Sequence, residues 1–433
     1  MFNFNLKIVV VFFLIMITMA SCGNEEDISV DIDTSEKIEE TEKTGEKKIE
    51  KKITGNTYEN WEEVVKDGKN KTVTFYMWSG NKKINEYIDN YVAKKVKEKY
   101  NITLKRVSMD AGKYIPKLLE EKEKKVEKGK GDLIWINAES FKNCKQSGLI
   151  WGPFTEILQN QKKYFDKNAL DVNYDTGLIT EGYEALWGKS QLILNYNNSK
   201  IKDPPKSYKT LLTWAKKNKG KFTYPSFIKT YEGKSFVRNS YYELTDDKDI
   251  YKEDISKEEF VNRLTPVKKY FDELKTYSWK SGKQFPQSLK EMDELFRNEE
   301  IIMSMSFDMF KTKIYTDKKI FQNSTANYVF DTGEITYPHY LAIPFNAEDK
   351  AASILVIDFL QSPEAQIEKV KGSVWGDLPA LDVNKLNKKD RNTLSEIEKI
   401  MKVDLNHYNK KSLPEMKLEQ IEWFNDFYLE KDK

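Results

Sequence analysis

Three tryptophans stand directly before small residues, where an aromatic face can meet a ligand. Trp78 precedes Ser79 and a glycine, while Trp187 and Trp375 each precede a glycine. Indole faces bind sugar rings, aromatic groups and cations by stacking and cation–π contact, each worth about 0.5 to 2 kcal/mol. The same rings could instead fill a core or a hinge. We therefore treat Trp78, Ser79, Trp187 and Trp375 as candidate ligand contacts, with packing as the alternative.

Polar and aromatic side chains elsewhere form a second group of candidates. Asn137 and Glu139 directly follow an apolar, strand-like run, and Asp308 follows another. Their short polar groups could reach a ligand, or they could cap the helices that come next. Tyr224 and Phe227 lie in the segment TYPSF. We expect the chain to form two lobes, and these two rings to contact the ligand from the second.

Motifs for catalysis and metal binding are absent from the sequence. It contains no G-x-S-x-G, H-E-x-x-H or P-loop pattern, and Cys144 has no evident catalytic partner. The two histidines, His339 and His407, are not at the spacing of zinc ligands. Tyr241 and Tyr242 are adjacent in a predicted helix interior, so their side chains point about 100° apart and would need irregular backbone to share an iron ion. We expect neither catalysis nor a resident metal or cofactor.

The candidates sit on a pattern of alternating strands and helices. Strands are predicted at Thr72–Trp78, Ile102–Met109 and Asp132–Asn137, with helices at Ile84–Lys99 and Tyr114–Val126 between them. Such alternation predicts a parallel sheet with right-handed crossovers. Ligands bind beyond the carboxyl ends of the strands in these sheets, which is where the Trp78 and Asn137 segments lie.

The strand pattern returns late in the chain. Tyr183–Asn197 is partly strand-like, a mainly helical region follows to about Phe330, and Thr336–Phe345 is strand-like before the predicted helix Ala351–Leu360. This return indicates two lobes joined by more than one crossing strand, a hinge architecture that would flex near 195–197 and 330–336. The predicted organisation is a signal segment 1–22, a tether 23–57, a first lobe of 58–190 and 335–372, and a second lobe of 191–334 and 373–433.

At the N-terminus one lysine precedes the apolar run Ile8–Ile17, and small residues lead to Cys22. This pattern resembles a bacterial lipoprotein export signal. The run is too short for a membrane span, which needs about 20 apolar residues. The resemblance implies that the signal segment is cleaved off before Cys22. Cys22 is then the first residue of the mature protein, and its lipid holds the protein on a membrane. An uncleaved signal anchor is the alternative. Residues 23–57 lack aromatic side chains and are expected to form a disordered, charged tether.

Net charge, chain length and cysteine content limit the partners, the number of lobes and the disulfides to be expected. The formal net charge of +2 provides no field of the kind that binds nucleic acid. The 433 residues exceed the size at which one core usually stops growing, which favours two lobes. With Cys22 lipidated, Cys144 has no partner for a disulfide.

Seven segments spread over the globular part form a recognisable set: TVTFYMWSG at 72–80, DLIWINAESF at 132–141, GLIWGPF at 148–154, YEALWGKSQLILNYN at 183–197, FTYPSF at 222–227, HYLAIPFNAEDKAASILVIDFLQSPEAQ at 339–366 and VWGDLPALDVNKL at 374–386. With these segments the chain resembles the extracellular solute-binding proteins of ABC importers, in particular a YnjB-like group. The resemblance implies a periplasmic-binding-protein fold of the second class, with two α/β lobes joined by crossing hinge strands and a ligand in the cleft between them.

The resemblance also implies partners and a location. The protein would act as a monomer, tethered by lipid at Cys22 to the extracytoplasmic face of the cell membrane, and would deliver a small solute to an ABC permease and its ATPase. The aromatic and acidic candidates favour a neutral polyol or an organic cation, and the scarcity of arginine argues against a bidentate anion site. The alternative is a surface lipoprotein that binds a macromolecule as an adhesin or co-receptor.

Overall fold

Strands and helices alternate along the first part of the chain, as the sequence predicts. The computed structural model describes residues 58–430. The strands are β1 (Thr72–Met77), β2 (Thr103–Ser108), β3 (Leu133–Ile136), β4 (Ile150–Trp151), β5 (Tyr174–Asp175), β6 (Leu178–Ile179), β7 (Ala185–Gln191), β8 (Ile193–Asn197), β9 (Met303–Ser306), β10 (Thr325–Tyr328), β11 (Glu334–Pro344) and β12 (Ser412–Leu413).

Helices surround these strands. They are α1 (Trp61–Gly68), α2 (Lys82–Glu86), α3 (Ala93–Tyr100), α4 (Ala111–Glu123), α5 (Ala138–Gln146), α6 (Gln159–Tyr164), α7 (Leu170–Asn173), α8 (Tyr208–Lys217), α9 (Tyr231–Leu244), α10 (Lys257–Arg263), α11 (Thr265–Tyr277), α12 (Leu289–Arg297), α13 (Lys311–Asp317), α14 (Lys350–Leu360), α15 (Pro363–Val370), α16 (Lys388–Met401), α17 (Leu405–Lys410) and α18 (Leu418–Glu430). A π-helical turn, Tyr87–Val92, joins α2 to α3.

A seven-stranded sheet organises the first lobe. Its main path runs β12-β11-β3-β1-β2, and β4 and β7 also pair with β11. β1 is parallel to β2 and β3, which confirms the predicted parallel arrangement. β11 runs antiparallel to β3 and β7, so the late strand enters the sheet in the reversed sense.

Local sequence explains the strands and helices of the first lobe. β1 (TVTFYM) and β3 (LIWI) consist of β-branched, aromatic and other apolar residues that suit a largely buried sheet. α1 begins after Asn60, whose side chain accepts a hydrogen bond from the Glu63 N–H. It packs against α14 of the first lobe. α14 is buried from Ala351 to Leu360.

A smaller antiparallel sheet, ordered β10-β8-β9, forms the second lobe with the helices α8 to α13. Aromatic residues fill its core, where Tyr208 and Phe271 both pack on Phe236. The mainly helical region predicted up to about Phe330 is confirmed. The chain crosses between the lobes from β7 to β8, and β11 leads back into the larger sheet.

The last part of the chain divides between the lobes, which differs from the boundary predicted at 373. The Asp382 N–H donates to the Tyr164 carbonyl at 2.8 Å, and Leu378 bridges to Lys189 of β7, so this stretch packs on the first lobe. α18 instead packs against α10 of the second lobe. Local sequence patterns could not reveal this, because the partners of both stretches are distant in sequence.

The predicted signal segment, Cys22 and the tether 23–57 lie outside the described residues. Within 58–430, no helix is long and apolar enough to span a membrane.

Candidate functional site

A cleft of about 1220 Å³ lies at the carboxyl ends of the parallel strands. Trp78 follows β1 and Asn137 follows β3, and both line the cleft. Tyr231, at the start of α9, lines it from the second lobe. The edge of the sheet that the sequence predicts to face a ligand therefore does face a cleft.

The first lobe presents a set of indole rings, here called the tryptophan wall: Trp78, Trp135 and Trp375. Trp135 lies 6.4 Å from Trp78 and 5.8 Å from Trp375, measured between ring centroids. Trp78 is 48% exposed, so much of its indole faces solvent in the cleft. The ring lies over Gly80, where a Cβ atom would clash with it. The glycine after Trp78 and Ser79 thus lets the indole fold back against the chain.

The second lobe presents a set of phenyl rings, here called the tyrosine wall: Tyr231, Phe307 and Tyr337. Tyr231 is 53% exposed and lies 5.7 Å from Phe307 and 4.8 Å from Tyr337. Phe307 directly follows β9, and Tyr231 is the first residue of α9. The end of a strand and the start of a helix thus place the rings of this wall.

The two walls meet on β11. Tyr337 belongs to the tyrosine wall, whereas His339 stacks on Trp375 at 5.8 Å and contacts Trp135 at 5.2 Å. Residues two apart on a strand point to the same face. One strand therefore joins the aromatic surfaces of both lobes along the floor of the cleft.

A buried ion pair supports the tyrosine wall from behind. The Arg238 guanidinium donates to Glu415 from Nη2 at 2.7 Å and from Nε at 3.1 Å. Nη2 also donates to the Tyr337 hydroxyl at 3.1 Å, and that hydroxyl donates to Ser235 Oγ at 2.8 Å. The planar, bidentate contact with Glu415 holds the Arg238 guanidinium in place, and the hydrogen bond from Nη2 then positions the Tyr337 ring.

A second buried ion pair supports the tryptophan wall. Lys369 is fully buried, and its Nζ donates to Asp377 Oδ2 at 2.9 Å, to the Trp187 carbonyl at 2.7 Å and to the Leu378 carbonyl at 3.1 Å. Asp377 Oδ1 lies 3.4 Å from His339 Nε2. Although burial alone would raise it, the nearby Lys369 and His339 hold the pKa of Asp377 below its usual value.

The residue after Trp187, Gly188, lies where a side chain would not fit. A Cβ atom there would occupy the space taken by Lys369 Nζ and the Asp377 carboxylate. Gly376, after Trp375, has φ +88° and lies against Phe310 of the second lobe. Both tryptophan-glycine pairs therefore serve close packing at the border of the lobes.

A buried carboxylate lies beside the start of α5. Asp175 is 1% exposed, accepts a hydrogen bond from the Ala138 N–H, and accepts another from Thr176 Oγ1 at 2.9 Å. Ala138 has φ +45°, a conformation that is strained for a residue with a side chain and is concentrated at functional sites. Burial raises the pKa of Asp175 to about 6.

The structure brings five predicted residues together in the cleft: Trp78, Asn137, Glu139, Asp308 and Trp375. Ser79 is adjacent, but its hydroxyl accepts from Arg106 Nη1 at 2.8 Å and does not line the cleft. Direct ligand contact by the five cleft residues stays a prediction.

Three predicted residues lie in hydrophobic cores instead. Trp187 is fully buried behind the tryptophan wall, 5.2 Å from Trp135. Tyr224 packs on Phe236, and Phe227 lies 4.4 Å from Tyr428. The prediction that these three residues contact the ligand therefore differs from the structure. An aromatic residue in a run of apolar residues looks the same in the sequence whether it lines a core or a cleft.

Several cleft residues were missed by sequence reasoning. They are Tyr231, Arg238, Tyr337, His339 and Glu415. Alternation along TYPHY could have placed Tyr337 and His339 on one face of a strand. Arg238 is one of only five arginines in the sequence, a signal that a guanidinium has a specific partner. Nothing local identifies Glu415.

Other residues with possible chemistry are engaged elsewhere. The hydroxyls of Tyr241 and Tyr242 donate to Asp247 Oδ2 at 2.8 Å and to the Pro414 carbonyl at 2.6 Å. Cys144 is buried, and burial raises the pKa of its thiol to about 12. Over residues 58–430, no three His, Cys, Asp or Glu side chains are grouped to hold a metal ion.

The sequence matches a family model and a relative of known sequence. Residues 91–390 match the family model described as bacterial extracellular solute-binding protein. Protein YnjB of Escherichia coli (strain K12) is 33% identical over 337 residues, which cover 77% of this chain and 86% of YnjB.

Solved structures show the same fold. The solute receptor AcbH, described as having an exclusive preference for β-D-galactopyranose, aligns with a TM-score of 0.60 and 12% identity, covering 85% of this chain and 93% of AcbH. The spermidine/putrescine substrate-binding protein PotD of Streptococcus pneumoniae aligns with a TM-score of 0.55 and 13% identity, covering 83% of this chain and 99% of PotD. The predicted periplasmic-binding-protein fold of the second class is thus confirmed. With the matched family model and the extended identity to YnjB, this fold shows that the chain belongs to the bacterial extracellular solute-binding proteins.

Proposed function

We propose that this protein captures a small solute between the tryptophan and tyrosine walls and passes it to the permease of an ABC importer. The observation that carries the proposal is the meeting of the two walls on β11, with Tyr337 in one and His339 in the other. A solute lying on that floor would touch both lobes at once.

Contact with both lobes is what closure requires. A ligand moves an equilibrium between open and closed forms only through a difference in its affinity for the two. Rings such as Trp78 and Tyr231, about half exposed, would lose solvent only when the lobes close over a solute. Their burial would supply that difference in affinity.

The remaining parts of the proposal concern location and partners. Family membership implies an extracytoplasmic protein. We infer further that lipid at Cys22 tethers a monomer to the membrane beside the permease and its ATPase. The tether would let the receptor reach the permease without leaving the membrane surface.

Small-angle scattering of the mature protein tests the proposal. Addition of a low-molecular-weight extract of bacterial cells should reduce the radius of gyration, because the lobes close. Tyr231→Ala should weaken this response, since it removes an open ring of the cleft. Ile400→Ala, which removes an apolar side chain that is 63% exposed outside the cleft, is the control.

The alternative, an adhesin or co-receptor, makes the opposite prediction. Its partner would be a macromolecule bound on an open face, so no small-molecule extract would alter the scattering. An unchanged radius of gyration, together with binding to a macromolecular fraction, would contradict the receptor function.

A further inference from the structure

Acidic side chains predominate among the charged residues of the cleft. The carboxylates that line it belong to Glu139, Asp171, Asp175, Asp308, Asp377 and Glu415. Three of the six have a cation bound to them within the protein. These pairs are Asp171 with Lys189 at 2.6 Å, Glu415 with Arg238 at 2.7 Å, and Asp377 with Lys369 at 2.9 Å.

The other three carboxylates have no such partner. Within the described part of the chain, Glu139, Asp175 and Asp308 form no ion pair, and Lys234 is the one lysine or arginine lining the cleft that is also unpaired. The cleft therefore carries an excess of negative charge. Walls of low dielectric constant concentrate such a field and attract a positively charged solute.

Asp308 is the carboxylate best placed to bind the positive charge of such a solute. Its side chain is exposed and lines the cleft, and Oδ1 accepts a hydrogen bond from the Phe310 N–H at 2.9 Å. Lys83 and Lys311 lie nearby, but Lys83 donates to a backbone carbonyl and Lys311 is bound to another aspartate. Desolvation raises the pKa of Asp308, although the nearby Lys83 and Lys311 lower it.

The residue that follows Trp375 lies beside this carboxylate. A Cβ atom at Gly376 would be 3.8 Å from Asp308 Oδ1, and Gly376 directly follows Trp375 of the tryptophan wall. A cation over an indole is attracted by the ring quadrupole. A neutral sugar could also stack on Trp375, but it would leave the three carboxylates uncompensated when closure removes water from the cleft.

We propose that the solute is an organic cation, with its positive charge beside Asp308 and its apolar or aromatic body against Trp375 and the neighbouring Trp78. This inference rests on the proposed function, because it assumes that the cleft holds a small solute. It chooses between the two ligand classes, neutral polyol and organic cation, that the sequence leaves open.

The test separates solutes by charge before their identity is known. A low-molecular-weight extract of bacterial cells is passed over a sulfonate cation exchanger, which yields a retained cationic fraction and an unretained fraction. Each is added to the mature protein after extensive dialysis, and the melting temperature is recorded. We expect the retained fraction to raise it, and mass spectrometry of the complex then identifies the bound cation.

Variants then test the position of the charge. Asp308→Asn keeps the shape of the side chain but removes its charge, and it should weaken binding of the identified cation by at least about tenfold. Asp246→Asn is the matched control, because Asp246 is exposed and does not line the cleft. Unchanged affinity in Asp308→Asn would overturn the assignment of the cation to this carboxylate.

The two proposals fail differently. A rise in melting temperature with the unretained fraction alone would overturn the organic cation while leaving the solute-receptor function in place. No rise with either fraction would overturn the receptor function, and the inference with it.

Discussion

Arg238 Nη2 lies 2.7 Å from Glu415 Oε2, and the two side chains are only 3% and 6% exposed. The pair joins α9, which begins at the tyrosine wall, to the segment between β12 and α18. Because Arg238 also donates to the Tyr337 hydroxyl, the C-terminal segment helps to position a ring of the cleft.

Breaking this buried pair should destabilise the protein strongly. Glu415→Gln leaves an uncompensated guanidinium in the interior, so the free energy of unfolding should fall by about 3 to 5 kcal/mol. Urea denaturation measures it. Asp426→Asn removes a partner from the exposed pair Lys257–Asp426 and should cost about 1 kcal/mol or less. Equal losses in the two variants would show that Arg238 does not depend on Glu415.

Trp78 and Trp187 should respond oppositely to truncation. Trp187→Ala removes a fully buried ring and should lower the free energy of unfolding by about 3 to 5 kcal/mol. Trp78→Ala removes a ring that is 48% exposed and should cost about 1 kcal/mol or less, yet abolish the solute-induced rise in melting temperature. Solute binding by Trp78→Ala with wild-type affinity would remove Trp78 from the site.

Gly80→Ala should weaken solute binding without touching any ligand atom. The added methyl group would occupy the place of the Trp78 indole and displace it from the tryptophan wall. Titration calorimetry with the solute should show reduced affinity, while far-ultraviolet circular dichroism stays that of the wild type. Gly220→Ala has open space around the methyl group but a φ of +78°, so it controls for general strain at a glycine. If Gly80→Ala binds as tightly as wild type, the orientation of Trp78 is not set by this glycine.

Asp175 should make the protein less stable as the pH rises from about 4 to about 6. Its pKa is about 6 in the folded protein against 3.8 for an unperturbed group, so the folded state holds a proton that the unfolded state has lost in this interval. The penalty is absent below the lower value and complete above the higher one, where it reaches about 3 kcal/mol at most.

Asp175→Asn isolates this effect, because the amide cannot ionise. The difference in unfolding free energy between variant and wild type, measured by urea denaturation, should shift in favour of the variant as the pH rises through this interval. A neighbouring buried carboxyl, Glu184, also has a raised pKa and remains in both proteins. A difference that does not change with pH would show that Asp175 is not responsible.

Cys22→Ser should release the protein from the membrane. The serine cannot form a thioether with lipid, so acyl chains contributing about 0.8 kcal/mol per buried CH₂ group would be lost. Phase partitioning in detergent should move the protein from the detergent phase to the aqueous phase. The other cysteine offers the control, since Cys144 is buried within the first lobe and Cys144→Ser should stay in the detergent phase. Retention of Cys22→Ser in detergent would indicate an uncleaved signal anchor.

The elements that depend on neighbouring residues could be predicted from the sequence. The strand predicted at Thr72–Trp78 forms as β1, and that predicted at Asp132–Asn137 forms as β3. Because parallel strands end at one edge of a sheet, the positions of Trp78 and Asn137 in the cleft followed from those two predictions. The family could also be identified from local segments.

The role of each aromatic ring could not be predicted in this way. Trp135 lies within an apolar strand and yet faces the cleft, whereas Trp187, beside a glycine, is fully buried. Tyr224 and Phe227 read as candidate contacts but fill the core of the second lobe. Their burial depends on α9, α11 and α18, and the last two pack on them from distant parts of the chain.

The sequence alone therefore determined the class of protein, the order of its elements and the edge of the sheet where a solute is expected. Tertiary structure decided which aromatic faces remain open, which carboxylates lack a counter-ion and how the C-terminal segment divides between the lobes. The physical reason is that propensity and periodicity act over a few neighbouring residues. Burial and charge pairing instead arise between residues such as Arg238 and Glu415, which are 177 positions apart and meet only when the chain has folded.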